Sequence, residues 1–156
     1  MGNARNKTGL SLVEMLIVVA VIVLLASIML GVAELMDSRS KHRALRSTFV
    51  LLDSALEQYY DYWDRFPDPN KVNVPPFPSP SAALYSQLDS TPGSREVIER
   101  LSKTVIRNNP DNLPEVTDPW GTVLAYLYVP GDTFPELISA GPDKDLTTVG
   151  DNISNR

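Results

Sequence analysis

The sequence contains no cysteine and only one histidine, and these absences exclude a wide range of chemistry. Without cysteine there is no disulfide framework, no thiolate zinc site, no iron–sulfur cluster and no thiol nucleophile. The single histidine, His42, excludes multi-histidine metal sites and argues against most catalytic triads. The sequence also offers no visible nucleophile–base pair and no phosphate-binding loop. We therefore expect a protein that is not an enzyme.

A concentrated basic region is also missing. The 156 residues carry 14 Lys and Arg against 19 Asp and Glu, which gives a net charge of −5. Binding to a phosphate backbone needs a basic face, so a nucleic-acid partner is not expected. The length suits one domain with an appendage, and the 13 prolines predict turns and extended segments in the later part of the chain.

The apolar residues are unevenly distributed along the chain. Residues 15–33 read MLIVVAVIVLLASIMLGVA, which is 19 residues without a charge. As a helix rising about 1.5 Å per residue, this run is about 28 Å long, close to the roughly 30 Å of a hydrocarbon core. A buried helix of a small soluble domain is rarely apolar on every face. The run therefore predicts a membrane segment.

Two ordinary interpretations fit this apolar run. It could serve as a cleavable secretory signal, with Arg5 and Lys7 before it and a small-x-small cleavage site at 31–33. The run is longer than the usual apolar region of such a signal, however, and Glu14 stands at its start. It could equally serve as a plain single-pass anchor, with Glu14 solvated at headgroup depth.

A third interpretation gives Glu14 a partner. An acidic residue at the edge of a membrane segment is costly and is usually paired. If the chain is cut after Gly9, Leu10 becomes a free ammonium group, four residues before Glu14. The ammonium group of one subunit would then neutralise the carboxylate of its neighbour when the two helices pack side by side.

The string KTGLSLVEMLIVV at 7–19 resembles the class III leader of type IV pilins and type II secretion pseudopilins. A basic leader, Gly9, a hydrophobic residue, Ser-Leu-Val-Glu at 11–14 and an apolar run follow one another in the family's order, with Leu10 where phenylalanine is commonest. The resemblance implies cleavage after Gly9 by prepilin peptidase and N-methylation of Leu10. It also implies a filament in which Glu14 sets the register.

The orientation of the chain follows from the same resemblance. Cationic residues stand on both sides of the apolar run, so the positive-inside rule gives no orientation. The family pattern implies a single-pass protein of the bacterial inner membrane, with its C-terminal domain in the periplasm.

One long helix is predicted to continue beyond the apolar run. Between Leu10 and Trp63 there is no proline, and apolar residues recur at spacings of three and four, as in an amphipathic helix. About 54 residues at roughly 1.5 Å each would span about 80 Å. Pro67 is expected to end the helix, because the residue before a proline is pushed out of the α region. The predicted divisions are a leader at 1–9, a transmembrane and assembly helix at 10–33, its amphipathic continuation at 34–66, and a small globular domain at 67–156.

The globular part is predicted to consist of short elements. Residues 118–121, Asp-Pro-Trp-Gly, have the composition of a β-turn. This DPWG sequence resembles the C-terminal region of the major type II secretion pseudopilin. The resemblance implies an α+β, pilin-like fold class, with the long helix packed on a small domain that contains an antiparallel hairpin or sheet. The individual expectations are a proline-rich loop at 68–81, helices at 81–88 and 93–106, a loop at 108–115, and strands at 123–129 and 136–139.

Acidic residues are concentrated near the C-terminal end of the sequence. Asp143, Asp145 and Asp151 lie within nine positions, and Asn152 follows them. Hard cations such as Ca²⁺ take six to eight oxygen ligands from carboxylates, amides and backbone carbonyls. The spacing is not that of an EF-hand, because the sixth position from Asp143 is a threonine and the twelfth is a serine.

The same segment resembles the calcium loop of the major pseudopilin, S-x-G-x-D-G…D-x-D-I, with Lys144 in place of a glycine. The resemblance implies a Ca²⁺ site formed by Asp143, Asp145, Asp151 and Asn152. The other interpretation is a solvated acidic tail.

These features predict a structural subunit of a type II secretion pseudopilus. The resemblance implies a homo-oligomeric filament joined by minor pseudopilins, built on an inner-membrane assembly platform in contact with lipid, that drives the export of folded proteins. Two alternatives stay open. One is a type IV pilus subunit for adhesion, motility or DNA uptake, although many such pilins close a C-terminal loop with a disulfide that this chain cannot form. The other is a secreted or membrane-anchored binding protein with an ordinary signal or anchor.

Overall fold

The computed structural model describes residues 11–69 and 79–156, except for the side chains of residues 28–35. The predicted leader, with Gly9, and the following Leu10 lie outside the described residues, as does most of the proline-rich loop. The chain forms two compact units, Met1–Ser40 and Lys41–Arg156. The described residues form an α+β structure, as predicted.

The long helix, α1, runs over Leu12–Trp63. Its end at Trp63 is the predicted one, and its first residue is the second described residue of the chain. At the N-terminal end, the backbone N–H of Ser11 donates to Glu14 Oε2 at 2.8 Å, as in a capping box. At the C-terminal end, Asp64 takes a left-handed backbone conformation with φ of 51° and its N–H donates to the carbonyl of Tyr60. A left-handed residue after the last turn is a common helix stop.

The first unit exposes apolar side chains on every face of α1. Between Leu12 and Leu25, each large apolar side chain is 50 to 79% exposed. Consecutive residues of an α-helix are 100° apart, so this run of positions covers the full circumference. Among the residues that the structure describes, no helix is both long enough and apolar enough to cross a membrane.

The second unit buries the apolar stripe of the same helix. Leu45, Leu52 and Leu56 are completely buried, and Phe49 and Tyr59 are nearly so. This confirms the predicted period of three and four residues. The stripe forms a core with residues from the short helices and strands, namely Leu84, Leu88, Ile98, Val116, Tyr126 and Leu137.

The remaining elements are short. The second helix, α2, spans Pro80–Asp89, and Ser79 Oγ caps it by accepting from the N–H of Ala82. The third helix, α3, spans Pro92–Ile98. Within the described residues there are two antiparallel sheets: β1 (Ile106–Asn108) pairs with β2 (Pro114–Val116), and β3 (Ala125–Leu127) pairs with β4 (Glu136–Ser139), which pairs with β5 (Ile153–Ser154).

Several predicted elements need correction. The helix predicted at 93–106 ends at Ile98, because turns take over between Val97 and Val105 while the apolar side chains there remain buried. The loop predicted at 108–115 is largely the connection of a hairpin in which Ile106 pairs with Val116. The strand predicted at 123–129 is reduced to β3, whereas α2 and β4 lie where they were predicted.

The C-terminal residues complete the second unit. The side-chain amide of Asn155 donates to Asp53 Oδ1 on α1 at 2.6 Å, and its side-chain oxygen accepts from the N–H of Leu137 at 2.9 Å. Its own N–H donates to the carbonyl of Leu137. Asn155 therefore joins the end of the chain to both the helix and the three-stranded sheet.

Candidate functional site

At the N-terminal end of the described chain, Glu14 is engaged with its own helix. The carboxylate is exposed and accepts the N–H of Ser11, which would otherwise lack an intrahelical partner. A negative charge in the first turn also interacts favourably with the helix dipole. Glu14 therefore has a local structural role in the single chain. The predicted processing residues, Gly9 and Leu10, lie outside the described residues.

The acidic segment forms a loop whose two ends meet. Gly141, just after β4, has a φ of 71°, a conformation that favours glycine. A Cβ at this position would overlap the carbonyl oxygen of Asp151 and would lie 3.2 Å from its Oδ2. Asp151 Oδ2 in turn accepts the N–H of Asp143 at 3.2 Å. The backbone of Asp143 and the carboxylate of Asp151, the first and last aspartates of the predicted calcium loop, thus meet at the base of the loop.

The two carboxylates of the first half of the loop are turned towards their own backbone. Asp143 Oδ1 accepts the N–H of Asp145 at 2.9 Å. Asp145 Oδ1 accepts both the hydroxyl of Thr147 at 2.7 Å and its N–H at 2.9 Å. These two hydrogen bonds hold the pKa of the Asp145 carboxyl below its ordinary value, and the bond from the Thr147 hydroxyl has the larger effect. The Asp145 side chain is therefore already well satisfied by the loop itself.

The two predicted ligands at the end of the loop behave differently. Asp151 Oδ1 and Asn152 Oδ1 are both inaccessible to solvent and have no hydrogen-bond partner. The orientation of the Asn152 amide is fixed, because its Nδ2 donates to the carbonyl of Leu146 at 3.0 Å. Leaving a buried acceptor unpaired costs about 1–3 kcal/mol. Two such oxygens on adjacent residues fit the chemistry of a hard cation.

Other groups would have to complete a cation site here. Among the described residues, no group of three or more His, Cys, Asp or Glu side chains is arranged so that it could hold a metal ion. Backbone carbonyls and water are ordinary Ca²⁺ ligands and would have to supply the rest. Lys144, which stands where the resembling loop has glycine, takes the left-handed conformation that glycine adopts readily, with a φ of 64°. The substitution therefore leaves the loop with a glycine-like backbone.

The DPWG turn lies beside the start of this loop. Asp118 is almost completely buried, and its Oδ1 accepts the backbone N–H groups of Trp120 at 3.0 Å and Thr122 at 2.8 Å. Its Oδ2 accepts the hydroxyl of Ser139 at 2.7 Å. The same hydroxyl oxygen accepts the N–H of Gly141 at 3.1 Å. The sequence identified Asp118 only as a turn residue, and Ser139 as the end of a strand and the first residue of the segment that resembles the pseudopilin calcium loop.

The single histidine lies against the same turn. The rings of His42 and Trp120 meet edge to face with their centres 5.2 Å apart. His42 is exposed on α1, and this contact is a packing interaction of the kind that aromatic rings commonly make.

Comparison of the chain with protein-family models, with curated proteins and with solved structures finds no match.

Proposed function

We propose that this protein is a pilin-like filament subunit of the inner membrane, processed after Gly9, and that it belongs to a type II secretion pseudopilus. The exported cargo is folded protein, and the filament contains further copies and minor pseudopilins. Prepilin peptidase, an assembly platform and membrane lipid are its other partners. The proposal draws on the leader resemblance and on the geometry of the two units.

The observation that carries the proposal is the fully apolar circumference of α1 in the first unit. Exposed apolar surface of this extent marks a membrane or protein interaction site. A signal or anchor needs only the same apolar residues and gives no role to an acidic residue at the edge. The helix of a filament subunit needs two apolar environments. It lies in the lipid bilayer before assembly, and it packs against neighbouring helices after it leaves the bilayer.

Glu14 is the feature that separates the filament from an anchor. In the single chain its carboxylate caps Ser11. In the filament, the ammonium group at Leu10 of a neighbouring copy approaches the same carboxylate and neutralises its charge, which lowers the cost of placing it among apolar helices. The capping geometry keeps the carboxylate at the first turn of the helix, near the end at which a neighbour's amino group would arrive.

The acidic loop contributes a Ca²⁺ site to the proposal. Asp151 and Asn152, with their two unpaired buried oxygens, are the principal side-chain ligands. Asp143 and Asp145 are secondary ligands, because they must first give up hydrogen bonds to the loop backbone. When bound, the ion supplies positive charge to a segment of like-charged carboxylates and so rigidifies the loop for packing between subunits.

Mass spectrometry of the mature protein tests the processing step. Protein recovered from its own cells is expected to begin at an N-methylated Leu10. A start shortly after 31–33 would identify a secretory signal instead, and an uncut N-terminus would identify a plain anchor. Either of these outcomes would contradict the filament proposal.

Two substitutions at Glu14 separate its capping role from its proposed charge pairing. In Glu14→Gln the side-chain oxygen can still accept the N–H of Ser11, but the negative charge is lost. Glu14→Ala removes both. If charge pairing matters, both variants insert in the membrane and both assemble poorly, as judged by cross-linking between subunits in cells.

Normal assembly of Glu14→Gln together with failure of Glu14→Ala would instead assign Glu14 to capping alone. Glu57→Gln is the matched control, because Glu57 is an exposed glutamate of the same helix in the second unit. It should assemble like the unmodified chain.

A further inference from the structure

We infer that Asp118 of the DPWG turn is the positioning residue of the acidic loop and acts on it through Ser139 and Gly141. The inference rests on the proposed function only in taking the loop to be a Ca²⁺ site. The connection itself is a series of hydrogen bonds and one close backbone contact within the second unit.

The series begins with a carboxylate that is held rigidly. Asp118 is 3% exposed, and three hydrogen-bond donors converge on its two oxygens. Two of the donors are backbone N–H groups of its own turn, at Trp120 and Thr122. A buried carboxylate whose two oxygens accept three hydrogen bonds cannot easily rotate. The turn therefore fixes the position of Oδ2, the oxygen that receives Ser139.

Ser139 transmits this position to the loop. It is completely buried at the end of β4, and its hydroxyl donates to Asp118 Oδ2 while accepting from the N–H of Gly141. A hydroxyl that donates and accepts at once has a single orientation. Gly141, where the loop begins, is therefore held by a side chain from a turn that lies about twenty residues earlier in the sequence.

Gly141 then sets the position of the unpaired ligands. Its α-carbon packs so closely on Asp151 that a side chain would not fit. Asp151 carries one of the two buried unpaired oxygens, and Asn152 carries the other. Any displacement of Gly141 is thus passed directly to the residues that are best placed to bind the ion. The DPWG turn and the acidic loop therefore act together. The turn holds the ligands in place before the ion binds, which reduces the entropy lost on binding.

Ser139→Ala tests the connection without altering the turn, since Asp118 keeps both backbone hydrogen bonds. The matched control is Ser81→Ala. Ser81 is 1% exposed, and its hydroxyl also donates one hydrogen bond and accepts one, both with the backbone of Val116. Both variants remove a buried hydroxyl that donates one hydrogen bond and accepts one, but only one of the serines contacts the loop.

The first measurement is Ca²⁺ affinity, determined by calorimetric titration of CaCl₂ into the full chain. We expect Ser139→Ala to weaken binding about tenfold, equivalent to about 1.4 kcal/mol, and Ser81→Ala to change it less than about twofold. Asp118→Asn should weaken binding as well, because its amide oxygen stays with the two backbone N–H groups and the NH2 group that replaces Oδ2 cannot accept the hydroxyl proton of Ser139. Equal affinities of Ser139→Ala and Ser81→Ala would overturn the inference.

The second measurement is hydrogen exchange in calcium-free buffer, which does not depend on a bound ion. Ser139→Ala should accelerate exchange at Gly141 and Asp143, the two backbone N–H groups at the base of the loop, whereas Ser81→Ala should not. If the unmodified chain binds no Ca²⁺, the proposed ion site fails, and this exchange pattern alone decides the positioning role. Unchanged exchange in Ser139→Ala would then overturn it.

Discussion

The two units of the chain treat apolar residues in opposite ways. Between Leu12 and Leu25 the large apolar side chains of α1 are at least half exposed, whereas Leu45, Leu52 and Leu56 of the same helix are completely buried. Both segments are helical and both contain several leucines, although the first is rich in valine and isoleucine and the second has only Thr48 and Val50 as β-branched residues. What differs is the pattern: the first segment is apolar at every position except Glu14, and the second follows a stripe. A stripe is satisfied by the chain's own domain, and an apolar circumference requires lipid or other helices.

The largest expected effect comes from exchanging equivalent leucines of the two segments for alanine. Leu52→Ala should destabilise the second unit by about 2–5 kcal/mol, because it removes buried contacts and leaves a cavity. Leu24→Ala changes a side chain that is 60% exposed and should alter the stability by no more than about 0.5 kcal/mol. Chemical denaturation of the full chain, followed by tryptophan fluorescence, measures both. Similar losses in the two variants would break the comparison.

A charge placed in the first segment should have the opposite pattern of effects. Val21→Lys puts a cation within the apolar run, where insertion into a bilayer costs about 2.5–3.5 kcal/mol more. We expect the variant to leave the membrane fraction of cells, while the melting of the second unit is unchanged. Val21→Leu is the control and should fractionate normally. Full membrane retention of the lysine variant would contradict a lipid role for this segment.

Calcium should act on the second unit alone. A ligand that binds only the folded state stabilises it by about 2.7 kcal/mol at one hundred times its dissociation constant. The melting temperature of the unmodified chain should therefore rise between chelator and saturating Ca²⁺, and Asp151→Asn should reduce the shift strongly. Asp145→Asn should reduce it less, since the Asp145 carboxylate is committed to Thr147. A shift of equal size in both variants would contradict this ranking of the ligands.

The smallest expected effect concerns Asp53, at the contact between α1 and the end of the chain. Burial raises the pKa of Asp53, and this increase is only partly offset by the hydrogen bond from Asn155. The neighbouring charges also act in opposite directions, with Glu57 raising the pKa and Arg156 lowering it. A pKa that is higher in the folded state means that the folded state binds the proton more tightly. Protonation of Asp53 therefore stabilises the fold as the pH falls from neutral towards about 4.

Asp53→Asn removes the cost of burying the charge and still offers an oxygen to Asn155. We expect this variant to be more stable than the unmodified chain at pH 7, by no more than about 0.5 kcal/mol, with the difference disappearing near pH 3. Urea denaturation at both values of pH measures the difference, and Asp61→Asn, an exposed change on the same helix, is the control. A larger advantage at pH 3 than at pH 7 would reverse the sign.

Periodicity predicted the long helix well where its buried apolar residues follow the helical spacing. The buried stripe from Leu45 to Tyr59 was recognised, because an amphipathic face and a helix require the same spacing, whereas Trp63, its last predicted member, is 45% exposed. The prediction failed beyond Ile98. Leu101 and Val105 continue the helical spacing and their side chains are buried, but the backbone that carries them forms turns and not a helix. Burial alone dictated their apolar character, and the sequence cannot distinguish that from a helix.

The candidate site was predicted in composition but not in arrangement. Asp143, Asp145, Asp151 and Asn152 were recognised as oxygen donors from their chemistry and from the resemblance. Nothing local in the sequence shows that the first two bond to the loop backbone while the last two keep unpaired oxygens. The contacts that decide this, such as those of Ser139, join residues about twenty positions apart, and the two-residue strand β5 exists only through its pairing with β4. Local patterns carry no record of such contacts.

The hydrogen bond between Asn155 and Asp53 has a consequence for the order in which the second unit folds. Its partner Asp53 lies 102 positions earlier, so the contact joins residues that are far apart in the described sequence, and it closes at a high entropic cost. A ribosome must synthesise nearly all of the second unit before this hydrogen bond can form. The second unit is therefore expected to lack this contact until its last residues have been synthesised.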